Sequence, residues 1–268
     1  MIIIGEKING AIPSTAKAIA ERDAEFIKKL ARMQSAAGVD YIDVCASVEN
    51  DVELETMKWL IDLVQEVTDT PIAVDSPNEL TCIAAMKYCK RPGLFNSVSM
   101  EGDKIDLGFA AIADTDWDCV ALLNSDKGIP KTAKDRLDVF ADIMAKAKEY
   151  GIAPSRLHID PLVEMLCTSE EGIAMVTEVI REIKKQYPSI HVTGAISNIS
   201  FNLPARKTVN MGFAVMAMMA GLDSGILDPT DRDLMGIIFA TEALMGEDEY
   251  CVEYIRAYRQ GIHGPVKK

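Results

Sequence analysis

Carboxylate and carboxamide side chains recur along the sequence at the ends of short apolar segments. Eight segments each end at or close to one of these groups, which are Glu6 or Asn9, Asp43, Asp75, Asn96, Asn124, Asp160, Asn198 and Asp228. Asp and Asn are common in turns for local reasons, which is an alternative explanation for any single residue of the set. That explanation accounts less well for the whole set, because every segment ends in the same chemistry. We therefore treat these residues as candidate functional groups.

A set of acids and amides predicts a particular class of ligand. It does not suit a phosphate, which is bound by N–H donors and by Arg or Lys. A flat heterocycle with several N–H donors along one edge would be held by two or three such groups, each charged hydrogen bond contributing about 1.5–3 kcal/mol. A pair of catalytic carboxylates, as in glycosidases, is the competing interpretation. Sugar sites usually contain aromatic platforms, and the aromatic content here is 6%.

The segments that end in these groups have the length and composition of buried β-strands. The predicted strands are Ile2–Ile4, Tyr41–Cys45, Ile72–Asp75, Leu94–Val98, Cys119–Leu123, Leu157–Asp160, His191–Ile196 and Gly225–Asp228. Longer stretches with helical spacing lie between them. The predicted helices are Ala16–Ala37, Val52–Val67, Glu79–Cys89, Lys104–Ala113, Thr132–Tyr150, Ser169–Gln186, Arg206–Ala220, Asp231–Leu244 and Glu249–Tyr258.

The regular alternation of strand and helix predicts an α/β fold with a parallel sheet. Eight units in 268 residues match a (β/α)8 TIM barrel. An open doubly wound sheet is the alternative, but it would be expected to carry a glycine-rich phosphate loop, and neither G-x-G-x-x-G nor G-x-x-x-x-G-K-[ST] occurs. We predict one barrel domain over residues 1–260 and a flexible tail over residues 261–268. Barrel active sites lie at the carboxyl ends of the strands, so the candidate residues should share one rim.

Composition excludes several classes of protein. Lys plus Arg number 28 and Asp plus Glu 41, a net charge of −13, which argues against binding to nucleic acid or to an anionic membrane. No apolar run approaches the roughly 18 residues of a membrane span, and the N-terminus does not resemble a signal peptide. The six cysteines form no C-x-x-C pair, so we expect reduced thiols and a cytoplasmic protein. The three histidines are scattered, and no metal site is predicted.

The sequence also contains a series of short motifs in a fixed order. They are Ile3–Gly10 (IIGEKING), Val74–Ser76, Phe95–Ser97, Lys127–Lys131 (KGIPK), His158–Pro161 (HIDP), Ser197–Asn202 (SNISFN), Arg206, Asn210, Met216–Met218 and Gly221–Asp223. This ordered set spans nearly the whole chain. It resembles the methyltetrahydrofolate:corrinoid protein methyltransferases, members of the pterin-binding barrel superfamily that also includes dihydropteroate synthase.

The resemblance implies transfer of a methyl group between N5 of tetrahydrofolate and the cobalt of a corrinoid protein, in a direction that the sequence leaves open. In the family, the residues that match Asp75, Asn96 and Asp160 bind the pterin ring. The residue that matches Asn198 contacts N5, and we expect Asn198 to be catalytic. The other expected folate contacts are Ser197, Asn202 and Arg206, and the additional candidates are Glu6, Asp43, Asn124 and Asp228.

The chemistry explains why an amide would stand beside N5. A tertiary amine is a poor leaving group unless hydrogen bonding or protonation neutralises the charge left on it. The Asn198 amide cannot supply a net proton, but its hydrogen bond would strengthen as N5 becomes more basic, and the proton would come from solvent. The chain has no D-x-H-x-x-G cobalamin signature, so the corrinoid is expected on a separate partner protein. A homodimer is also expected.

One loop departs from the family pattern. Better-known members carry Asp-Leu-Asn-Val-Gly after the second strand, whereas this chain reads DVCAS over 43–47. Cys45 thus replaces an Asn. We expect it to be a small buried thiol, and a nucleophilic thiol is the alternative. Two further functions stay open: a dihydropteroate synthase-like enzyme, although the pyrophosphate-pocket motif Gly-Gly-Glu-Ser-Thr is lacking, and a non-catalytic folate-binding subunit of a corrinoid complex.

Several other residues receive structural or peripheral assignments. Met216, Met218 and Met219 lie on one predicted helix and are expected in the core. His158 is expected to be a packed residue near a strand end. Lys7 and Arg206 are candidates for the glutamate tail of the folate or for the pterin carbonyl, with solvated surface charge as the alternative.

Overall fold

A computed structural model describes residues 1–266 of the chain. Its strands are all parallel and form one eight-stranded sheet in the order β7-β6-β5-β4-β3-β2-β1-β8. The strands are β1 (Ile2–Asn9), β2 (Tyr41–Cys45), β3 (Ile72–Asp75), β4 (Leu94–Met100), β5 (Asp118–Ser125), β6 (Leu157–Asp160), β7 (His191–Val192) and β8 (Ser224–Leu227).

Helices follow the strands and cover the outside of the sheet. Those in the described part of the chain are α1 (Pro13–Ala20), α2 (Ala24–Ala36), α3 (Asn50–Gln65), α4 (Glu79–Met86), α5 (Lys104–Ile112), α6 (Ala133–Glu149), α7 (Ala174–Gln186), α8 (Arg206–Ala220), α9 (Arg232–Met245) and α10 (Val252–Gln260). The main core lies between sheet and helices, where Ile27 of α2, Leu60 of α3 and Phe109 of α5 are fully buried.

The first and last strands of the sheet order meet through irregular backbone pairing. The Asp223 amide donates to the Val192 carbonyl at 3.3 Å, and the Ile226 amide donates to the Gly194 carbonyl at 3.0 Å. Ala195 also bridges to Ile226 in parallel register. The sheet thereby closes on itself between β7 and β8, and the predicted (β/α)8 barrel is confirmed.

Side chains inside the barrel are stacked in layers because successive residues of a strand point to opposite faces. A middle layer is apolar and fully buried, and its members are Ile4, Ala73, Leu94 and Val120, with Tyr41, Leu122 and Ile226 packed against them. Residues two positions further along five of these strands point to the same interior, nearer the carboxyl ends. They are Glu6, Asp43, Asp75, Asn96 and Asp228, together with Asn124 two positions beyond Leu122.

Several element boundaries differ from the sequence prediction, among them that of β1, which runs to Asn9 where Ile4 was expected. The single helix expected over Ala16–Ala37 is two helices, because Arg22 has a positive φ of 51° and Asp23 begins α2 by accepting a hydrogen bond from the Phe26 amide. The seventh strand ends at Val192, because residues 193–195 pair irregularly with β6 and β8 and a short 3-10 turn begins at Ile196. Helix α7 begins at Ala174, five residues later than predicted.

The assignment of three methionines to the core is correct for one of them. Met218 of α8 is buried, but Met216 and Met219 are 55% and 64% exposed. The reason is helical geometry: residues one and two positions apart on a helix point in different directions, so one apolar face cannot bury all three.

The segment 261–266 packs against the last two helices. His263 is 3% exposed and its ring lies against the rings of Phe239 and Tyr254. Arg232 donates to the backbone carbonyls of His263 and Gly264. The flexibility expected for residues 261–268 stays a prediction, and residues 267–268 lie outside the described part of the chain. Within residues 1–266, the longest apolar helix is too short or too polar to span a bilayer.

Candidate active site

A cavity of about 670 Å³ opens at the carboxyl ends of the strands. It brings together residues from β1, β2, β3, β4, the turn after β7, the end of β8 and the first turns of α8. The predicted residues that line it are Glu6, Asp43, Asp75, Asn96, Ser197, Asn198, Arg206 and Asp228. Residues far apart in the sequence thus share one rim, as the barrel prediction requires, whereas their roles in binding stay predictions.

Three predicted residues lie outside the lining of this cavity. Asp160 ends β6 two positions after His158, whose ring contacts Tyr41 and whose Nδ1 lies 3.0 Å from Ser224 Oγ inside the barrel, so Asp160 points to the same interior. Asn124 is directed inward in the same way from β5. Asn202 is exposed, and its amide is 3.7 Å from the sulfur of Met165.

Asp43, Asp75 and Asn96 form one polar group on three adjacent strands. Asp75 and Asn96 are register partners, and the Asn96 amide donates to Asp43 Oδ1 at 3.1 Å. Burial raises the pKa of Asp75 to about 6. Burial, with the neighbouring Asp75 charge, raises the pKa of Asp43 well above its usual range. Two adjacent acids in a dry site cannot both ionise easily, so the group can hold a proton or accept hydrogen bonds from a ligand.

Asp160 is a second buried acid on the same rim. Burial raises its pKa to about 6, while the Leu162 amide, donating to Oδ1 at 2.7 Å, and the charge of Arg136 oppose the shift. Arg136 is itself fully buried and donates to the carbonyls of Pro130, Pro161 and Leu162. It therefore ties the loop after β5 to the loop after β6 and fixes the backbone around Asp160.

The 3-10 turn after β7 presents Asn198 to the cavity. Arg206 at the start of α8 donates to Ser200 Oγ at 2.9 Å and to the Ser197 carbonyl at 2.8 Å, so it holds both ends of the turn. Its guanidinium also lies 4.7 Å from the centre of the Phe201 ring. Arg206 thus positions the turn that carries Asn198.

Charged groups from β1 and from the end of β8 line the cavity next to this turn. Lys7 Nζ donates to Asp228 Oδ2 at 2.8 Å, and the Thr230 hydroxyl and amide also donate to Asp228. Burial opposes these bonds, but they lower the pKa of Asp228 below its ordinary value. Asp228 is therefore a paired carboxylate, and the side chain of Lys7 is occupied by that pair.

Cys45 occupies a buried position beside the acids. It is 6% exposed, and its Sγ lies 3.1 Å from Ser47 Oγ, which in turn donates to Asn9 Oδ1 at 3.3 Å. Burial, together with the nearby Asp75 charge, raises the pKa of the Cys45 thiol. A thiol held neutral in this way is a poor nucleophile, which favours the small buried thiol over the nucleophilic alternative.

Asn210 is a cavity residue that sequence reasoning did not assign to the site. It lies one helical turn after Arg206 on α8, and its buried Oδ1 has no hydrogen-bond partner among the described residues. The i, i+4 spacing from Arg206 was a signal that could have identified it. Asn124 Oδ1 is likewise buried and has no hydrogen-bond partner among the described residues. Unpartnered buried acceptors indicate that a ligand with hydrogen-bond donors completes the site.

The lining chemistry fits a flat, donor-rich molecule. The carboxylates and amide oxygens accept hydrogen bonds, and the volume lies within the range of about 300–1,000 Å³ typical of small-molecule sites. Within residues 1–266, His, Cys, Asp and Glu form no group of three or more suited to hold a metal ion. The site can therefore bind and polarise an organic ligand through its own side chains.

Comparison with known proteins identifies the family. Residues 9–228 match the model of the pterin binding enzyme family. The chain belongs to the pterin-binding enzyme family. It is 46% identical over 269 aligned positions to the methylcorrinoid:tetrahydrofolate methyltransferase of Eubacterium limosum, covering 100% of this chain and 99% of that protein. It is 28% identical over 241 positions to methionine synthase of Mycobacterium tuberculosis, covering 85% of this chain but only 20% of that longer protein.

Solved structures with the same architecture are more distant in sequence. A dihydropteroate synthase of Yersinia pestis superimposes with a TM-score of 0.66 at 16% identity, covering 91% of this chain and 94% of that one. The 7,8-dihydropteroate synthase of Vibrio fischeri gives a TM-score of 0.64, also at 16% identity, covering 92% and 93%. These likenesses confirm the barrel fold.

Proposed function

We propose that this chain is a methyltransferase that moves a methyl group from the cobalt of a methylated corrinoid protein to N5 of tetrahydrofolate. The observation that carries the proposal is the cavity in which Asp75, Asn96 and Asn198 meet, in a chain 46% identical over its whole length to a methylcorrinoid:tetrahydrofolate methyltransferase. The direction is taken from the name of that relative. The folate and the corrinoid protein are both substrates, because the reaction begins with one methylated and ends with the other.

The acids of the cavity would hold the pterin ring by its donor edge. The pterin presents a planar set of N–H groups, and Asp75 and Asn96 offer carboxylate and amide oxygens from the cavity lining. Asp160 offers a further carboxylate from β6, two strands beyond β4, where it points into the barrel interior outside that lining. A carboxylate that is already dehydrated loses little further hydration when it accepts these bonds, so each one contributes strongly. The unpartnered oxygens of Asn124 and Asn210 are further acceptors for the same ligand.

The chemical step is a displacement at carbon. The N5 lone pair forms the new N–C bond, and the electron pair of the cobalt–carbon bond stays on the cobalt, which is reduced from Co(III) to Co(I). N5 then carries both the methyl group and its original hydrogen as a cation, and the hydrogen leaves as a proton. The protein must therefore orient N5 toward the open mouth and stabilise the charge that develops on it.

The Asn198 amide suits this task because it can both accept and donate a hydrogen bond. Its carbonyl oxygen accepts from the N5–H of tetrahydrofolate and makes that nitrogen a better nucleophile. Its NH2 group donates to the N5 lone pair of the methylated product, which lowers the barrier for the reverse reaction. Arg206 supports this role by fixing the turn on which Asn198 lies.

The corrinoid protein would approach over the open mouth of the cavity. Phe201 lies at this mouth and is 44% exposed, next to Arg206. An exposed ring beside a cation is a suitable contact for a partner protein.

Two further features, the oligomeric state and the location, belong to the proposal. A homodimer would account for the exposed Met216 and Met219 on α8, and a reducing, cytoplasmic location would suit the free cysteines.

The proposal is tested by an anaerobic methyl-transfer assay with methylcobalamin as a soluble substitute for the corrinoid protein. With tetrahydrofolate and the purified chain, methylcobalamin absorbance should fall while an equal amount of 5-methyltetrahydrofolate forms. The reverse assay uses cob(I)alamin and 5-methyltetrahydrofolate. Asn198→Ala, which removes the amide proposed to act at N5, is the control for catalysis and should transfer methyl groups more slowly than the parent. Activity in neither direction, with folate still bound in a calorimetric titration, would instead support a non-catalytic folate-binding subunit.

The dihydropteroate synthase alternative rests on the shared fold. The solved synthases are 16% identical to this chain, a level that shows architecture alone. The end of β2 and the first loop residues read DVCAS over 43–47, and they carry the Cys45–Ser47–Asn9 contacts in place of N–H donors and cations for a pyrophosphate. We therefore expect no dihydropteroate from a pterin pyrophosphate and p-aminobenzoate.

A further inference from the structure

The proposed reaction releases a proton from N5, and no residue has yet been assigned to accept it. Tetrahydrofolate carries a hydrogen on N5 that its methylated product lacks. Asn198 can hydrogen-bond to this nitrogen, but a carboxamide does not take up a proton near neutral pH. A titratable side chain that faces the same cavity would complete the step.

Glu6 faces the cavity because side chains alternate along β1. Its side chain follows that of Ile4, two positions earlier, into the barrel interior and lines the cavity. The register between β1 and β2 shifts between Gly5 and Ile8, so β1 carries a β-bulge at the rim.

The contacts of Glu6 connect it to the turn that carries Asn198. Ser197 Oγ donates to Glu6 Oε2 at 3.3 Å, and Ser197 directly precedes Asn198 in the chain. Among residues 1–266, this is the one hydrogen bond that the structure gives to the Glu6 carboxylate. Its second oxygen is therefore available to a ligand or to a water molecule.

The other carboxylates of the cavity are committed elsewhere. Asp228 is held by Lys7 and Thr230, and Asp231 begins α9 and pairs with Lys207 at 3.1 Å. Asp43, on the strand next to Glu6, and Asp75 are joined to each other and to Asn96, and Asp75 and Asn96 are assigned to the pterin edge. Glu6 is the carboxylate that remains for proton transfer.

We infer that Glu6 accepts the N5 proton in the proposed methyl transfer, an inference that rests on the proposed function. The N5–H bond breaks, its electron pair stays on N5 as the lone pair of the tertiary amine, and an O–H bond forms on Glu6. The neutral acid then returns its proton to solvent when the product leaves. In the reverse reaction the protonated acid supplies the same proton to N5.

The electrostatic surroundings of Glu6 agree with this role. Burial and the Asp228 charge raise its pKa above the ordinary value, whereas Ser197, Lys7 and Arg206 act in the opposite direction. Asp43 is the other acid whose charge interacts with it. A raised pKa makes a carboxylate a stronger base and lets the acid form persist long enough to be returned.

The test compares Glu6→Gln with the parent chain at saturating folate, using methylcobalamin and tetrahydrofolate. Because general acid–base catalysis contributes about 10²–10⁴-fold, we expect kcat to fall by at least about a hundredfold, with the folate Kd changed less than about threefold. In the parent, the rate of methyl transfer to tetrahydrofolate should rise with pH as Glu6 ionises, and the rate of the reverse reaction should fall. Both of these changes of rate with pH, the two pH limbs, should be absent in Glu6→Gln.

Matched variants separate this role from a structural one. Asp126→Asn replaces an acid on the loop after β5 that accepts from the Gly102 amide, a bond that Asn retains, so its rate and pH profile should equal those of the parent. Glu6→Asp keeps a carboxylate on a shorter side chain, which leaves it further from N5, so this variant should keep both pH limbs with a lower kcat. Should Glu6→Gln not fold, judged by its circular dichroism melt, the Glu6→Asp profile decides.

Two failures are distinguishable. If the parent chain transfers methyl groups in neither direction, the proposed function is wrong. If the parent is active and Glu6→Gln retains its rate and both pH limbs, the assignment of Glu6 is wrong while the proposed function stands.

Discussion

The two ends of the barrel interior contain similar buried polar residues that differ in their hydrogen-bond partners, although burial raises the pKa of an acid at each end. At the amino end, Tyr41 donates to Asp118 at 2.7 Å and His158 Nδ1 lies 3.0 Å from Ser224 Oγ. At the carboxyl end, Asp75 and Asp160 have raised pKa values, and buried amide oxygens lack partners among the described residues. One end satisfies its polar groups internally, and the other leaves them for a ligand.

The charges at the amino end show the same contrast. Asp223 is partly buried, which opposes ionisation, but His191, the Val192 amide and Lys184 all donate to it and lower its pKa. Of the acids that line the cavity at the carboxyl end, Asp228 and Asp231 are paired with Lys7 and Lys207, whereas the structure gives Glu6, Asp43 and Asp75 no bonded cation within residues 1–266. Pairing, rather than residue type or burial, therefore distinguishes polar groups that stabilise the fold from most of those that we propose to bind substrate.

The largest expected effect of this comparison is on catalysis at the carboxyl end. Asn198→Ala removes a hydrogen bond that strengthens as charge develops on N5. Loss of one such group costs about 10²–10³ in kcat, so we expect that reduction in methyl transfer with the folate Kd changed less than about tenfold. The measurement is the methylcobalamin assay combined with calorimetric folate binding. An unaltered kcat would remove Asn198 from the mechanism.

The second effect is on binding. Asp160→Ala deletes a carboxylate that we expect to accept from the pterin, and a charged hydrogen bond contributes about 1.5–3 kcal/mol, so the folate Kd should rise about ten- to a hundredfold. The comparison predicts that His158→Gln, two residues earlier on the same strand, leaves the folate Kd within about twofold. Equal folate affinity in Asp160→Ala and the parent would contradict the assignment of the pterin edge.

The third effect is on stability and its dependence on pH. The pKa of Asp75 is raised from an ordinary 3.8 to about 6, so the folded chain binds more protons than the unfolded chain between these values. The stabilisation is complete below about pH 4 and is lost as pH rises through about 6. Asp75→Asn should therefore have a free energy of unfolding about 3 kcal/mol higher than that of the parent at pH 7.5, measured by urea denaturation, and should show little difference near pH 4.

Folate binding to the parent chain should depend on pH in the opposite sense. An ionised carboxylate is the better acceptor for the pterin, so affinity should increase as pH rises through about 6. Asp75→Asn should weaken this dependence without abolishing it, because the pKa of Asp160 is raised to about 6 as well. Calorimetric titrations at pH 5 and pH 7.5 measure it. For the stability prediction, an equal difference in the free energy of unfolding between the parent and Asp75→Asn near pH 4 and at pH 7.5 would show that Asp75 is not a desolvated acid.

The smallest effect is expected at the amino end. Tyr41→Phe removes the hydrogen bond to Asp118 and leaves that carboxylate unpartnered at this oxygen, which should lower the free energy of unfolding by about 1–2 kcal/mol. Folate affinity and kcat should equal those of the parent. A change in folate affinity in Tyr41→Phe would break the division between the two ends of the barrel.

Much of the fold could be predicted from the sequence because the signals are local. Apolar, β-branched runs and helical periodicity placed all eight strands, and the absence of a glycine-rich phosphate loop favoured the barrel over an open sheet. The errors fell where one residue acts through its backbone or its neighbours. The Asp23 cap divides a helix that periodicity alone would continue, and Gly194 and Ala195 pair with β8 in place of an extended seventh strand.

The candidate site divides in the same way. The sequence alone determined that each strand ends in an acid or an amide, because strand length and period are properties of neighbouring residues. Only the tertiary structure decided which of these groups are paired, such as Asp228 with Lys7, and which are buried without partners, such as Asn210. Hydrogen-bond partners and dehydration come from residues up to 221 positions apart, and they exist only after the barrel has closed.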